Sequence, residues 1–331
     1  MSISVSNAGQ STRMNSLLRS LRNDISQSLA QVSSGKKAET FSGLGNDAGT
    51  ALSLRNGVNR IDSYMTNITT ALSRTKVMDS AMSSINTTAR DVFTTLSAQN
   101  RGSDALSSSV NLEAANALET VQSLLNTPLE NRYVFSGDAV DVIPVADNTV
   151  IDTNVQAEIS AWMAGSQDAA TTIAHIEAFT SADLGISADV ASAGSVVAWA
   201  DDGISVDYTV KASNEGFSGI LKGLAVISNL TFNSSDVDGY WEIYDAAMGF
   251  IDSGASNVDL DVAGLALQAN TLDDAQARHE NTTAVYKEMI GKIEDVDTAE
   301  ALTTLQNLQT QLEICYRTIA TMRDLSLVNY L

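Results

Sequence analysis

The chain has 331 residues, 44% of them hydrophobic, and a formal net charge of −21. That length accommodates roughly two or three domains and is too apolar for a wholly disordered chain. The negative charge disfavours duplex nucleic acid and anionic membrane surfaces, both of which need clustered Lys and Arg. Only one cysteine is present, Cys315, which leaves neither an intramolecular disulfide nor a Cys-rich zinc site.

Taken in chain order, the start from Met1 to Asn15 is polar and lacks the apolar core of a signal peptide. Leu18, Leu21, Ile25, Leu29 and Val32 then recur at steps of three and four, which predicts one face of a helix closed by Ser34, Gly35 and the Lys36-Lys37 pair. A Gly-rich stretch follows from Ser42 to Gly49. Ile61, Met65, Ile68 and Leu72 open a heptad rhythm. Met78, Met82, Ile85, Ala89, Val92 and Leu96 continue it after a phase shift of the stutter type. With Pro128 the first of two prolines, helix is predicted nearly to Asn126, with Gly102 and Ser103 as candidate interruptions.

The segment Asp138 to Asp261 carries 20 acidic residues against Lys211 and Lys222 alone, so nearly all of the net charge lies in the middle of the chain. Here Ile204, Val206, Tyr208 and Val210 alternate as a half-buried strand does. Asp201-Asp202-Gly203 is a turn signal, and Val196 to Trp199 is the candidate partner strand. Two short amphipathic helices are predicted, one with Phe217, Ile220, Leu221 and Leu224, the other with Trp241, Tyr244, Met248 and Ile251. Helical spacing resumes near Leu265 and runs through Tyr286, Ile290 and Ile293. Asp297 and Glu300 form a capping pair, and Ala301, Leu305, Leu308, Leu312, Cys315, Ile319 and Met322 make a last apolar stripe. The predicted fold is mainly α: long N- and C-terminal helices in a coiled-coil-like bundle, with a mixed α/β domain inserted. The expected segments are 1–45 (axial), 46–137 (bundle), 138–262 (acidic outer domain) and 263–331 (C-terminal bundle and axial). A lone helix as long as the last one cannot cover its own stripe, so both ends read as seams that need partner helices.

Residues that elsewhere carry chemistry read as structural here. The stretch Gly43 to Gly49 lacks the spacing and preceding strand of a nucleotide loop. His175 and His279 have no convergent ligands and read as surface or capping residues. Cys315 sits on a seam and reads as buried and inert. The Asp236/Asp238 and Asp259/Asp261 pairs lack a calcium-loop pattern and read as a solvated acidic face. No catalytic residue, cofactor or metal is expected. An enzyme or ligand-binding site in the middle domain is the weaker alternative.

Two terminal segments resemble the signatures of the flagellin family. They are Gln31-Val32-Ser33-Ser34-Gly35-Lys36-Lys37 followed by Asn46-Asp47-Ala48-Gly49, and Ile293-Glu294-Asp295-Val296-Asp297-Thr298-Ala299-Glu300, together with the ending Asp324 to Leu331. Asn46 replaces the usual aspartate. Asn131-Arg132-Tyr133-Val134-Phe135-Ser136-Gly137 resembles an element of the family's hook-filament junction members that typical flagellins lack, which singles out Arg132, Tyr133, Phe135 and Gly137. The resemblance implies an extracellular flagellar subunit, exported through the flagellar type III apparatus without a cleaved signal peptide. It implies terminal helices packed in the inner tubes and an outward middle domain. It assigns the assembly interface to Leu18, Leu21, Ile25, Leu29, Leu305, Leu308, Leu312, Ile319 and Met322. The implied partners are other copies in a ring, hook-associated protein 1, flagellin and a cytosolic export chaperone. A filament subunit is the alternative within the family.

Overall fold

The computed structural model describes residues 2–99, 108–147 and 149–328, the side chains of 2–8, 10, 11, 108 and 322–328 excepted. The chain forms two compact units, Met1–Asp62 with His279–Leu331, and Ser63–Arg278.

The first unit begins with helix α1 (Ser2–Ser34), which ends where Gly35 adopts φ 69° and donates its amide to the Gln31 carbonyl. A left-handed residue terminates a helix by turning the chain out of register, and only glycine does so without a Cβ penalty. The Gly-rich stretch is a 3₁₀ segment, Phe41–Asp47, leading directly into α2 (Ala48–Ser97). From the C-terminal side, α8 (Val237–Glu294) ends beside α9 (Thr298–Val328). The Asp297 carboxylate accepts the amides of Ala299 and Glu300 at 2.9 and 3.2 Å, the predicted cap of α9. Helices α1 and α9 pack on each other.

In the second unit α2 buries Ile68, Met78, Met82, Ile85, Ala89, Val92 and Leu96, most of the predicted heptad positions; Met65 and Leu72 are half-buried. Helix α3 (Ser108–Leu125) follows; the predicted interruption at Gly102 and Ser103 lies outside the described residues. A two-residue hairpin, β1 (Pro128–Leu129) and β2 (Arg132–Tyr133), turns through Glu130 and Asn131 at φ 51° and 65°. Positive φ at both central residues is the type I′ geometry that matches strand twist.

Helices α4 (Val150–Met163), α5 (Ala169–Glu177) and α6 (Ala188–Ala191) come next, then the hairpin β3 (Val197–Asp201) and β4 (Ile204–Asp207), and α7 (Glu215–Asn229). Helix α7 is the centre of this unit. It packs on α3 and α4, and Phe217, Ile220, Leu221 and Leu224 are wholly buried. Asn111 of α3 donates to the carbonyls of Ile227 and Leu230, both at 2.9 Å, satisfying the end of α7.

Several expectations are corrected. The helix with Trp241 and Tyr244 is not short. It is the first part of the 58-residue α8, which runs unbroken through Gly249, Gly254 and Gly264. The glycine cost is offset because Gly254 lets the backbone of α7 approach: a Cβ there would lie 2.7 Å from the Ile220 nitrogen. Ile204 is 48% exposed, because the irregular β3–β4 register near the turn carries it off the inward face; Val206, Tyr208 and Val210 are buried, but β4 ends at Asp207. There the Asp207 carboxylate takes the Thr209 amide and hydroxyl and breaks the ladder. His279 is buried rather than superficial, since it continues the inward stripe Leu265, Leu272 and Ala275 of α8.

Candidate assembly interface

Where α1 ends and α8 gives way to α9, the two terminal signature segments meet. The Val296 amide donates to the Gly35 carbonyl at 3.0 Å and the Lys37 amide to the Glu294 carbonyl at 2.6 Å. Lys36 reaches Asp295 at 2.6 Å, and the Lys37 ammonium donates to the Lys292 carbonyl at 2.6 Å. Arg55 of α2 closes the cluster with two parallel bonds to Glu294, Nε to Oε1 at 2.8 Å and Nη2 to Oε2 at 2.6 Å. Its guanidinium also lies 5.5 Å over the Phe41 ring. The Glu294 residue is 5% exposed, so the fork geometry and the ring both act in a partly dry setting.

Hydrogen bonding from Arg55 is the main cause of a lowered Glu294 pKa, with burial opposing it and the charges of Arg55 and Lys36 adding to it. A carboxylate held below its usual 4.5 contributes stability that is fully present above that value and is lost as pH falls through the lower, folded-state value. Glu294→Gln keeps the shape and removes the charge. The expected loss is about 1.5 kcal/mol, the lower range for bonds to charged groups because Arg55 is half-exposed. Urea titrations should give variant and wild-type curves that converge at acid pH. Parallel curves would exclude the ion pair as the source.

Beyond this cluster the α1–α9 pair covers its stripe only in part. Leu21, Ser28, Ala301 and Leu305 are buried, whereas Leu18, Ile25, Leu308, Leu312, Cys315 and Ile319 are half-buried. Leu29 is 55% exposed, Ile314 57%, and Leu17, Leu302 and Tyr316 are also exposed. The side chain of Met322 lies outside those described. Arg22 donates to the Tyr316 hydroxyl at 2.6 Å, tying the exposed edge of α1 to α9. Two paired helices that leave leucines at their rim present a surface a further helix can cover.

The Asn131–Gly137 segment lies in the second unit. Phe135 is fully buried with its ring 5.5 Å from Phe217, the Ser136 hydroxyl donates to the Tyr133 carbonyl, and Gly137 at φ 63° is buried against Ala193 and Gly194. Tyr133 is half-buried and Arg132 exposed.

Of the residues weighed for chemistry, Cys315 is half-buried rather than buried, because the α1–α9 pair covers that stripe only in part. His175 pairs with Glu158 at 2.9 Å, and among the described residues no group of three or more His, Cys, Asp or Glu is placed to hold a metal. Of the four aspartates read as a solvated face, Asp238 and Asp259 are exposed as expected, while Asp236, Asp259 and Asp261 each bind a partner within the chain. Asp236 accepts the Trp162 indole at 2.9 Å and the Gly239 amide, Asp259 binds Arg90 and Asn86, and Asp261 accepts from Asn214. Sequence reading missed the Arg55–Glu294 pair. Only the Glu294 half carries a signal, the apposition of basic Lys36-Lys37 and acidic Glu294-Asp295 in two segments already singled out.

Two families match the chain: the bacterial flagellin N-terminal helical region over residues 5–139 and the C-terminal helical region over residues 248–331. The chain belongs to the flagellin family. A solved structure provisionally described as a flagellar hook-associated protein from Vibrio parahaemolyticus is similar in fold. It matches with a TM-score of 0.53 and 14% identity, over 75% of this chain and 97% of that one. No curated protein matches. The flagellin-family subunit is a structural part of the extracellular flagellum and self-assembles into flagellar polymers. Among its described residues no helix is long and apolar enough to cross a membrane.

Proposed function

We propose that this subunit is the hook-filament junction protein, hook-associated protein 3, which joins the hook side to the flagellin filament. The observation that carries the reading is the segment Asn131 to Gly137, which resembles the junction members and is lacking in typical flagellins. The hook-associated description of the Vibrio parahaemolyticus structure supports it. In this reading residues 1–45 and 263–331 supply axial packing, 46–137 the bundle, and 138–262 an outward domain. Leu18, Ile25, Leu29, Leu308, Leu312, Ile319 and Met322 meet helices of neighbouring copies in a ring, whereas Leu21 and Leu305, also expected there, are buried within the chain and support that face from beneath. Heterologous contacts, each face meeting a different one, let a helical lattice continue from one subunit type to the next. Hook-associated protein 1 lies on one side and flagellin on the other. Export through the flagellar type III apparatus delivers an incompletely ordered chain, its C-terminal stripe masked by a cytosolic chaperone.

Seeded assembly separates this role from that of a filament subunit. Purified chain is added to isolated hooks that end in hook-associated protein 1, and the products are viewed by electron microscopy. The expected result is a short collar that stops by itself and then accepts flagellin. Long filaments grown from this chain alone would make it a flagellin.

A further inference from the structure

Of the described members of the Asn131–Gly137 segment, those that mark the junction branch divide by use. Phe135 fills the core, Gly137 permits a close turn, and the Tyr133 backbone bonds to Val140 and to Ser136. Arg132 pairs with Leu129 through its backbone, but its side chain alone of these four is exposed, and its guanidinium has no partner among the described residues. It lines a small cleft with Arg74, Met78, Tyr133, Val196 and Tyr208, so two arginines share one largely apolar cleft. Arg74 is tethered there by the Tyr208 hydroxyl at 3.3 Å.

The charge around this cleft makes the arrangement unusual. Between Asp138 and Asp261 the chain has 20 carboxylates and two lysines. Both lysines are committed inward, Lys211 to the Ala193 carbonyl at 3.0 Å and Lys222 to the Glu177 carbonyl at 2.7 Å. Arg90 is held by Asp259 at 2.6 Å, and Lys76 shares its groove with Asp79 and Asp273. Copies of a self-assembling chain that set such segments side by side repel one another unless a cation of one meets the carboxylates of the next.

We infer that the Arg132 cleft is a contact between copies, in which Arg132, backed by Arg74, receives an acidic side chain from the acidic segment of a second molecule. A guanidinium offers paired donors in a planar fork that matches a carboxylate placed at the mouth of the cleft. The inference rests on self-assembly, which comes with the family, and not on the junction assignment.

Sedimentation velocity of the full-length chain tests it, over a concentration series at low and high salt, with Arg132→Glu and Arg132→Gln alongside. Circular dichroism melts establish that the variants are folded; an exposed residue without partners should leave them unchanged. The expected result is association of the wild type that salt weakens, a rise in dissociation constant of about tenfold or more for Arg132→Glu, and a flatter salt dependence for Arg132→Gln. The inference is overturned if Arg132→Glu associates as the wild type does, if wild-type association is indifferent to salt, or if the wild type stays monomeric throughout. Each of those outcomes leaves the junction reading standing, since that is decided on hook ends. Association through Arg132 by a chain that does not seat on hooks would remove the junction reading and keep the contact.

Discussion

Gly254→Val should destabilise the Ser63–Arg278 unit by about 3 kcal/mol, the upper part of the usual range for overpacking. A Cβ on Gly254 would stand 2.7 Å from the Ile220 nitrogen and 2.8 Å from the Gly216 carbonyl oxygen. Both are backbone atoms, so no rotamer change relieves the clash. The approach is reciprocal: a Cβ on Gly216 would meet the Val258 nitrogen at 2.9 Å, and one on Gly223 the Ala247 carbonyl oxygen at 2.6 Å. Helices α7 and α8 therefore touch along a strip of main chain, and adding an isopropyl group must push them apart. That movement loosens the wholly buried Ile220, Leu224 and Ile251. Gly249→Ala and Gly264→Ala are the controls, on the same helix with nothing within 4 Å of the added carbon. They should stabilise by up to about 1 kcal/mol through helix propensity alone. Urea unfolding monitored by circular dichroism distinguishes the two classes: midpoints move in opposite directions while the slope stays constant. Equal midpoints for Gly254→Val and Gly249→Ala would mean that α7 does not lie against α8 in this way.

The same glycines explain where the sequence could be read and where it could not. The heptad positions of α2, from Ile68 to Leu96, and the stripe of α7 were legible because burial there follows one helical period. The cap at Asp297 and the stop at Gly35 were legible because each depends on a residue type with one local mechanism. The continuity of α8 was not. Gly249, Gly254 and Gly264 look like breakers until the tertiary partner of Gly254 is known, and that partner lies on another helix. Helix α4 was overlooked although Ile151, Val155, Ile159 and Trp162 have helical spacing and are all buried. Its surroundings, rich in Asp, Ser and Ala, dilute that period. The bonds of Asp236, Asp259 and Asp261 were not legible because their partners Trp162, Arg90 and Asn214 are distant in sequence. For the assembly interface, the pattern of exposed leucines could be anticipated as a need for partners. The ion pair of Arg55 and Glu294 needs the fold itself, because Arg55 stands alone in a stretch with no motif.

Phe135→Ala should cost about 3–5 kcal/mol of stability in the same unit, the range for emptying a buried aromatic site. Phe135 is fully buried, its ring meets Phe217 edge to face at 71°, and Phe217 is itself wholly buried in α7. The cavity cannot collapse easily, because the backbone on either side is pinned. The Phe135 carbonyl accepts the Ala212 amide at 2.9 Å, and Val134 donates to the Thr127 carbonyl at 3.1 Å. Arg132→Ala, three residues away, should change stability by no more than about 0.5 kcal/mol, as for an exposed side chain without partners. The contrast divides one short segment into a part that builds the fold and a part that faces a neighbour. If both variants proved equally destabilising, Arg132 would belong to the fold and could not be reserved for contact. If neither did, Phe135 would not anchor α7. With Phe135→Ala alone destabilising, a loss of association in Arg132 variants can be assigned to the surface, because the core beneath that surface has been measured separately.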